Sequence, residues 1–103
     1  MVIEWLKFCM SPESRERYIE LDTEIWTAAL SQYPGFVSKE VWIDPDDAGS
    51  LIFVIRWATR EQWKAIPEAD LTQITERFDA AFGLSYEMVE STEFQVRRFP
   101  VPG

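Results

Sequence analysis

Residues 2–10, VIEWLKFCM, alternate so that Leu6, Phe8 and Met10 fall on one face and Ile3, Trp5 and Cys9 on the other. Glu4 and Lys7 interrupt the pattern, and neither face is cleanly polar, which predicts a strand covered on both sides. The period then lengthens. Ser11 followed by Pro12 marks a helix start, because a hydroxyl can cap the first turn and proline lacks an N–H that no helical partner needs there. Glu13 adds negative charge where the helix dipole favours it. The helix is expected to reach about Gln32, with YPGF at 33–36 as its stop. Its apolar positions form two rows, Tyr18, Leu21, Ile25, Ala28 and Ala29 beside Ile19, Trp26, Leu30 and Tyr33. Together they make a stripe wider than one sheet contact requires.

The alternating period returns in FVSKEVWID (36–44) and LIFVIRWA (51–58), joined by the turn-forming PDDAGS (45–50), so these stretches predict a hairpin. Thr59 with Gln62 has capping-box spacing and opens a short helix carrying Trp63 and Ile66, which Pro67 stops. Asp70 with Gln73 repeats the cap signal for a helix bearing Leu71, Ile74, Phe78 and Phe82, closed by Gly83. The stretch 84–99 predicts one long strand or two broken near Ser91, ended by Pro100 and Pro102. The order is β-α-β-β-α-β, an α+β, ferredoxin-like arrangement with an antiparallel sheet in one domain spanning 1–103.

With an even register sum in the hairpin, Leu51, Phe53, Ile55 and Trp57 share a face with Val37, Val41 and Ile43. Ile52, Val54, Arg56 and Ala58 share the other with Phe36, Ser38, Glu40 and Trp42. The first face is apolar enough to pack the helices. The second is mixed, yet holds enough apolar surface that a monomer would expose a patch of the kind soluble proteins avoid. The expected resolution is a homodimer with these faces packed together, Trp5 and Trp42 among the contacts. Arg56 would then pair with Glu40 or Glu4, since a partly dry guanidinium needs a carboxylate. Joining the sheet edges of two protomers into a barrel would also cover the edge strands, and EFQVRRF (93–99) is placed to pair across the partner.

Composition narrows the function. A net charge of −8 removes the basic footprint that nucleic acid or an anionic membrane surface requires, so neither is expected as a partner. The chain has no histidine and no asparagine, which excludes histidine metal sites, Ser-His and Cys-His nucleophile pairs and proximal-histidine haem ligation. No Gly-rich phosphate loop is present, and the acidic run at 44–47 lacks the oxygen spacing of a calcium loop. No metal and no cofactor are expected. Cys9 is the only cysteine, no stretch is apolar enough to span a membrane, and the start MVIEWLKF is unlike a signal peptide, so a cytoplasmic location is expected.

The stretch YPGFVSKEVWIDPDD, followed by a strand and RWATREQW, resembles the pattern P-G-x-x-x-x-E … W-x-[ST]-x-E-x-[WF] of the antibiotic biosynthesis monooxygenase-like superfamily. The whole chain, about residues 2 to 99, most closely resembles an uncharacterised family of short cyanobacterial proteins in that group. The resemblance implies a dimeric α+β barrel with a small-molecule cavity between helices and sheet in each protomer. The superfamily includes cofactor-free oxygenases acting on aromatic polyketides and haem-degrading enzymes. Trp57 matches the tryptophan of the pattern. Of the histidine, asparagine and tryptophan used by the haem-degrading members, this chain can supply only the tryptophan.

The aromatic set Trp26, Phe53, Trp57, Trp63, Phe78, Phe82 and Tyr86 is therefore the candidate wall of a pocket for a flat hydrophobic ligand; the bland alternative is an ordinary core. Tyr18, Tyr33 and Tyr86 are the only phenols. No catalytic base can be named. Three readings follow: a small-molecule-binding dimer acting as a cofactor-independent monooxygenase, a non-catalytic interaction or regulatory module with a filled core, and a haem-handling protein ligated through a tyrosine or Cys9.

Overall fold

The structure is a computed structural model and describes residues 1–98. The expectations for Phe99, Pro100 and Pro102 lie outside the described residues. Four strands, β1 (Val2–Met10), β2 (Phe36–Asp44), β3 (Asp47–Trp57) and β4 (Tyr86–Gln95), form one antiparallel sheet in the order β2-β3-β1-β4. The helices cover one face, giving the expected ferredoxin-like α+β fold. On that face lie Val2, Glu4, Leu6, Phe8 and Met10 of β1, opposite Trp57, Ile55, Phe53 and Leu51 of β3. Of the two inner strands β3 is the more deeply buried, with Leu51, Phe53, Ile55 and Trp57 each at most 2% exposed.

The first helical stretch begins with a 3-10 turn (Pro12–Ser14), closed by the Ser14 N–H donating to the Ser11 carbonyl at 2.9 Å. The Ser11 hydroxyl makes no capping bond to the helix backbone. The helix continues as α1 (Arg15–Leu21), widens to a π segment (Asp22–Thr27) and ends with α2 (Ala28–Leu30), two residues short of the expected Gln32. Thr59 caps α3 (Arg60–Lys64) as predicted, accepting from the Gln62 N–H at 3.1 Å. Helix α4 (Glu68–Phe82) starts earlier than expected, with Pro67 at its N-cap. Asp70 is not the cap; it accepts from the Tyr33 hydroxyl at 2.7 Å and ties α4 to the chain following α2. Gly83 closes α4 at φ 68°, a left-handed conformation that suits glycine.

The β2–β3 register sum is even through Ser38–Trp42, as expected, but bulges displace both ends. Phe36 pairs with Trp57 rather than lying on the far face, and its ring meets the Trp57 indole edge-on at 5.6 Å. Val37, assigned to the helix side, is instead displaced into the bulge and exposed. Val41 and Ile43 are also exposed, since β2 is an edge strand. The hairpin turn is tighter than PDDAGS because β3 already begins at Asp47. In β4 the irregularity lies between Met88 and Glu90, opposite Lys7 and Phe8, rather than at Ser91. Among the described residues no helix is long and apolar enough to cross a membrane.

Candidate functional site

Helices and sheet do not close on each other completely. Between them lies a cavity of about 410 Å³, within the range of small-molecule sites. Its sheet wall carries Glu4, Leu6, Phe53, Ile55 and Trp57. Its helix wall carries Tyr18, Asp22, Trp26 and Leu30, a four-residue spacing that runs through the π segment. An α-helix turns 400° in four residues, so such a row would drift around the axis. The wider π turn reduces that drift, and π insertions recur at functional sites. Trp63 and Ile66, from α3 and the turn after it, and Leu71 and Thr75 from α4 form the third side. Met88 and Ser91 of β4, both exposed, lie at the rim.

Three charged side chains enter this apolar space. Lys39 Nζ lies 2.7 Å from Asp22 Oδ2, with both side chains about 95% buried (4% and 5% exposed). The same ammonium stands 5.0 Å from the centre of the Phe53 ring, a cation–π contact. Glu4 Oε1 accepts from the Trp57 indole N–H at 3.3 Å. Cross-strand pairing places Lys39, Ile55, Glu4 and Glu93 in one row across the sheet. Glu93, at the outer end, is held by Arg60 at 2.9 and 3.2 Å.

Burial dominates the titration of this group. It raises the Glu4 carboxyl above its ordinary value, against the indole hydrogen bond and the charges of Lys39 and Lys64. It raises Asp22 and lowers Lys39, in each case against the attraction of the partner. Tyr18 is also raised by burial, with the neighbouring charge of Asp22 adding to it, so its hydroxyl stays protonated at neutral pH. Tyr86 is raised by burial and by donating its hydroxyl to Asp79.

Of the seven residues proposed as pocket walls, Trp26, Phe53, Trp57, Trp63 and Tyr86 line the cavity. Phe78 and Phe82 do not. They are packed behind Tyr18, at ring distances of 4.7 and 5.2 Å, and belong to a filled aromatic core. The four interface candidates share the sheet face turned away from the helices, where Trp5 and Glu40 flank Val54, Arg56 pairs with Ser38 and Trp42 with Ile52. Arg56 donates to Glu40 Oε1 at 2.7 Å and Trp42 donates to Glu40 Oε2 at 2.9 Å. Glu4 lies on the opposite face, which removes it as a partner for Arg56.

Glu4, Asp22 and Lys39 were not among the candidate pocket residues, although their positions carry a signal. Lys39 has the same parity as Val41, Glu4 the same parity as Leu6 and Phe8, and Asp22 falls four residues from both Tyr18 and Trp26.

Residues 1–71 match the family described as antibiotic biosynthesis monooxygenase. The chain belongs to that family. Solved structures with the same fold include the ActVA-Orf6 monooxygenase of Streptomyces coelicolor, in complex with nanaomycin D. It is 17% identical, with 99% of this chain and 92% of that one covered at a TM-score of 0.74. SnoaB, a cofactor-independent oxygenase of Streptomyces nogalater, is 16% identical over 95% and 94% of the two chains, with a TM-score of 0.68. A candidate antibiotic biosynthesis monooxygenase from Deinococcus radiodurans is 19% identical over the full length of both, with a TM-score of 0.71. No curated protein matches the chain. At these identities the structural likenesses speak for the fold, and the family match for the membership.

Proposed function

We propose that this chain is a cofactor-independent monooxygenase that works as a homodimer and holds a flat, hydrophobic aromatic substrate in the helix–sheet cavity. The observation that carries the reading is the cavity, walled by Trp26, Trp57 and Trp63 around a buried charged group. Indole faces suit a planar ring system. An apolar cavity with a few convergent polar groups is the usual form of a small-molecule site. Family membership supports the reaction class, and two proteins of the same fold are described as a monooxygenase and a cofactor-independent oxygenase.

Without a cofactor, the electrons that reduce O2 must come from the substrate. An electron-rich ring carrying a hydroxyl can supply them once it has lost its proton. One oxygen atom becomes a new ring carbonyl, and the other leaves as water with two hydrogens taken from the substrate. The protein's share is to desolvate the ring, orient it and manage the proton. Tryptophan fluorescence during titration with 1-anthrol, combined with an oxygen electrode and no added flavin or metal, tests this. Saturable quenching at one molecule per chain and O2 uptake matching quinone formation are expected. Absence of quenching at millimolar 1-anthrol would overturn the reading.

A further inference from the structure

Resting on the reading just given, we infer that Glu4 takes the acidic proton of the bound substrate and that Lys39 faces the oxyanion left behind. The site then selects a hydroxyarene, in phenol or enol form, over an aromatic carboxylate. Placement is the first argument. Glu4 and Lys39 flank Ile55 in one row, so their Cα atoms stand two strand spacings, roughly 10 Å, apart. Ile55, fully buried, is the floor between them. A planar ring lying on it meets a carboxylate on one side and an ammonium on the other.

Availability is the second argument. Of the titratable groups lining the cavity, Asp22 is engaged by the Lys39 ammonium. Tyr18 and Tyr86 keep their protons, and the Tyr86 hydroxyl is given to Asp79. Asp22 Oδ2 also accepts no hydrogen bond of good geometry, but its charge is held 2.7 Å from the Lys39 ammonium, whereas among the described residues Glu4 has no cation within ion-pair reach. Its Oε1 takes the Trp57 N–H, and among the described residues Oε2 accepts no hydrogen bond from protein. Its raised affinity for protons brings it closer to an acidic phenol, which favours transfer.

Charge is the third. With Glu4 and Asp22 ionised and Lys39 protonated, the cavity carries one net negative charge. Transfer of the hydroxyl proton to Glu4 Oε2 breaks one O–H bond, forms another and moves the negative charge to the ring oxygen, leaving the buried total unchanged. An aromatic carboxylate would instead bring a second net negative charge into a low-dielectric space, which is costly. The groups facing Glu4 are Lys39 from β2, Asp22 and Tyr18 from the first helical stretch, Glu93 from β4 with its Arg60 partner, and Lys64 from α3.

The test uses 1,2-dihydroxyanthraquinone, a dye already at the quinone level, whose visible absorption moves to longer wavelength when it ionises. Its affinity is read by tryptophan quenching and its ionisation by that band. Wild type should bind it and show the ionised band below the pH at which the free dye ionises. In Glu4→Gln the ionised band of the bound dye should appear only as bulk pH removes the proton. Anthraquinone-2-carboxylate should bind wild type at least tenfold more weakly than the dye, with the gap narrowed in Glu4→Gln. If the Gln variant does not fold, Trp57→Phe, which removes the hydrogen bond on Oε1 and keeps a ring, should increase the ionised fraction of bound dye. A dye that does not bind wild type overturns the parent reading as well. A dye that binds with the same band and pH dependence in the variants overturns the role of Glu4 alone, and equal binding of the carboxylate overturns the substrate class.

Discussion

The two ends of the helix–sheet layer draw on the same kinds of side chain and reach opposite results. At one end Phe8, Tyr18, Phe53, Phe78, Phe82 and Tyr86 interlock, with ring centres 4.7 to 5.9 Å apart and mostly tilted or edge-on geometries. At the other end, among the described residues, Trp57 pairs only with Phe36, while Trp26 and Trp63 stack on no other ring and stand around open space. The difference lies in what shares the space. The filled end meets charge at its border, where Lys39 lies over Phe53 and Asp79 takes the Tyr86 hydroxyl, whereas the open end holds Glu4, Asp22 and Lys39 on the inward faces of β1, the π segment and β2. The buried Lys39–Asp22 pair and the Glu4 carboxylate, which accepts from Trp57, occupy the ground on which the indoles would otherwise meet. An aromatic cluster becomes a core or a pocket according to the polar groups folded in beside it.

The largest expected effect breaks the filled end. Phe78→Ala should lower unfolding free energy by about 3–5 kcal/mol, because the rings around Tyr18 cannot close the gap. The equally drastic Trp63→Ala, beside the open cavity, should cost only about 1 kcal/mol in the same denaturant titration. Equal losses would mean that the two ends are packed alike.

A somewhat smaller effect sharpens the role of the buried pair. Lys39→Met leaves Asp22 buried without its cation and should cost about 3 kcal/mol, whereas Asp22→Leu/Lys39→Met should recover most of the loss. The pH dependence has a definite sign. Asp22 holds its proton above the ordinary 3.8, so its stabilising contribution is complete below that pH and fades as pH rises through the raised value. Lys39 is depressed below 10.5, so its contribution is complete above that pH and fades as pH falls. Wild type should therefore compare worst with the double variant between the two limits. Chemical denaturation of both across that range checks this.

The smallest effect on the isolated chain concerns the other face of the sheet. Glu40→Gln removes the partner shared by Arg56 and Trp42, both partly exposed, and should scarcely move the unfolding midpoint of a monomer. If that face is covered by a second copy, the same change should weaken dimerisation at least about tenfold in sedimentation equilibrium. A wild-type chain that stays monomeric at high micromolar concentration would remove the homodimer from the proposal.

The fold was legible because alternation in β1 and β3 and the Thr59 and Gly83 caps are local signals with few competing solutions. Lys39 shows where legibility stopped. Strand parity points it inward with Val41, but the general rule that lysines face water argues the other way, and only the nearby Asp22 resolves the conflict. Glu4 is the same case in β1. The Phe36 shift depends on a bulge next to Val37 that leaves no mark in residue type. Nor does any glycine or proline in 15–30 announce the π segment, which is visible only in its backbone hydrogen bonds.

That wide turn also works as a gear between two halves of one helix. The residues before it hold Tyr18 against the filled aromatic cluster, while Trp26 near its end and Leu30 beyond it face the open space. Each residue of an α-helix turns the next by about 100°, so loss of a single residue here would swing the downstream side chains away while leaving the upstream anchor seated. Pocket shape is thus adjustable through chain length at one place, without disturbing the packing on which the fold depends.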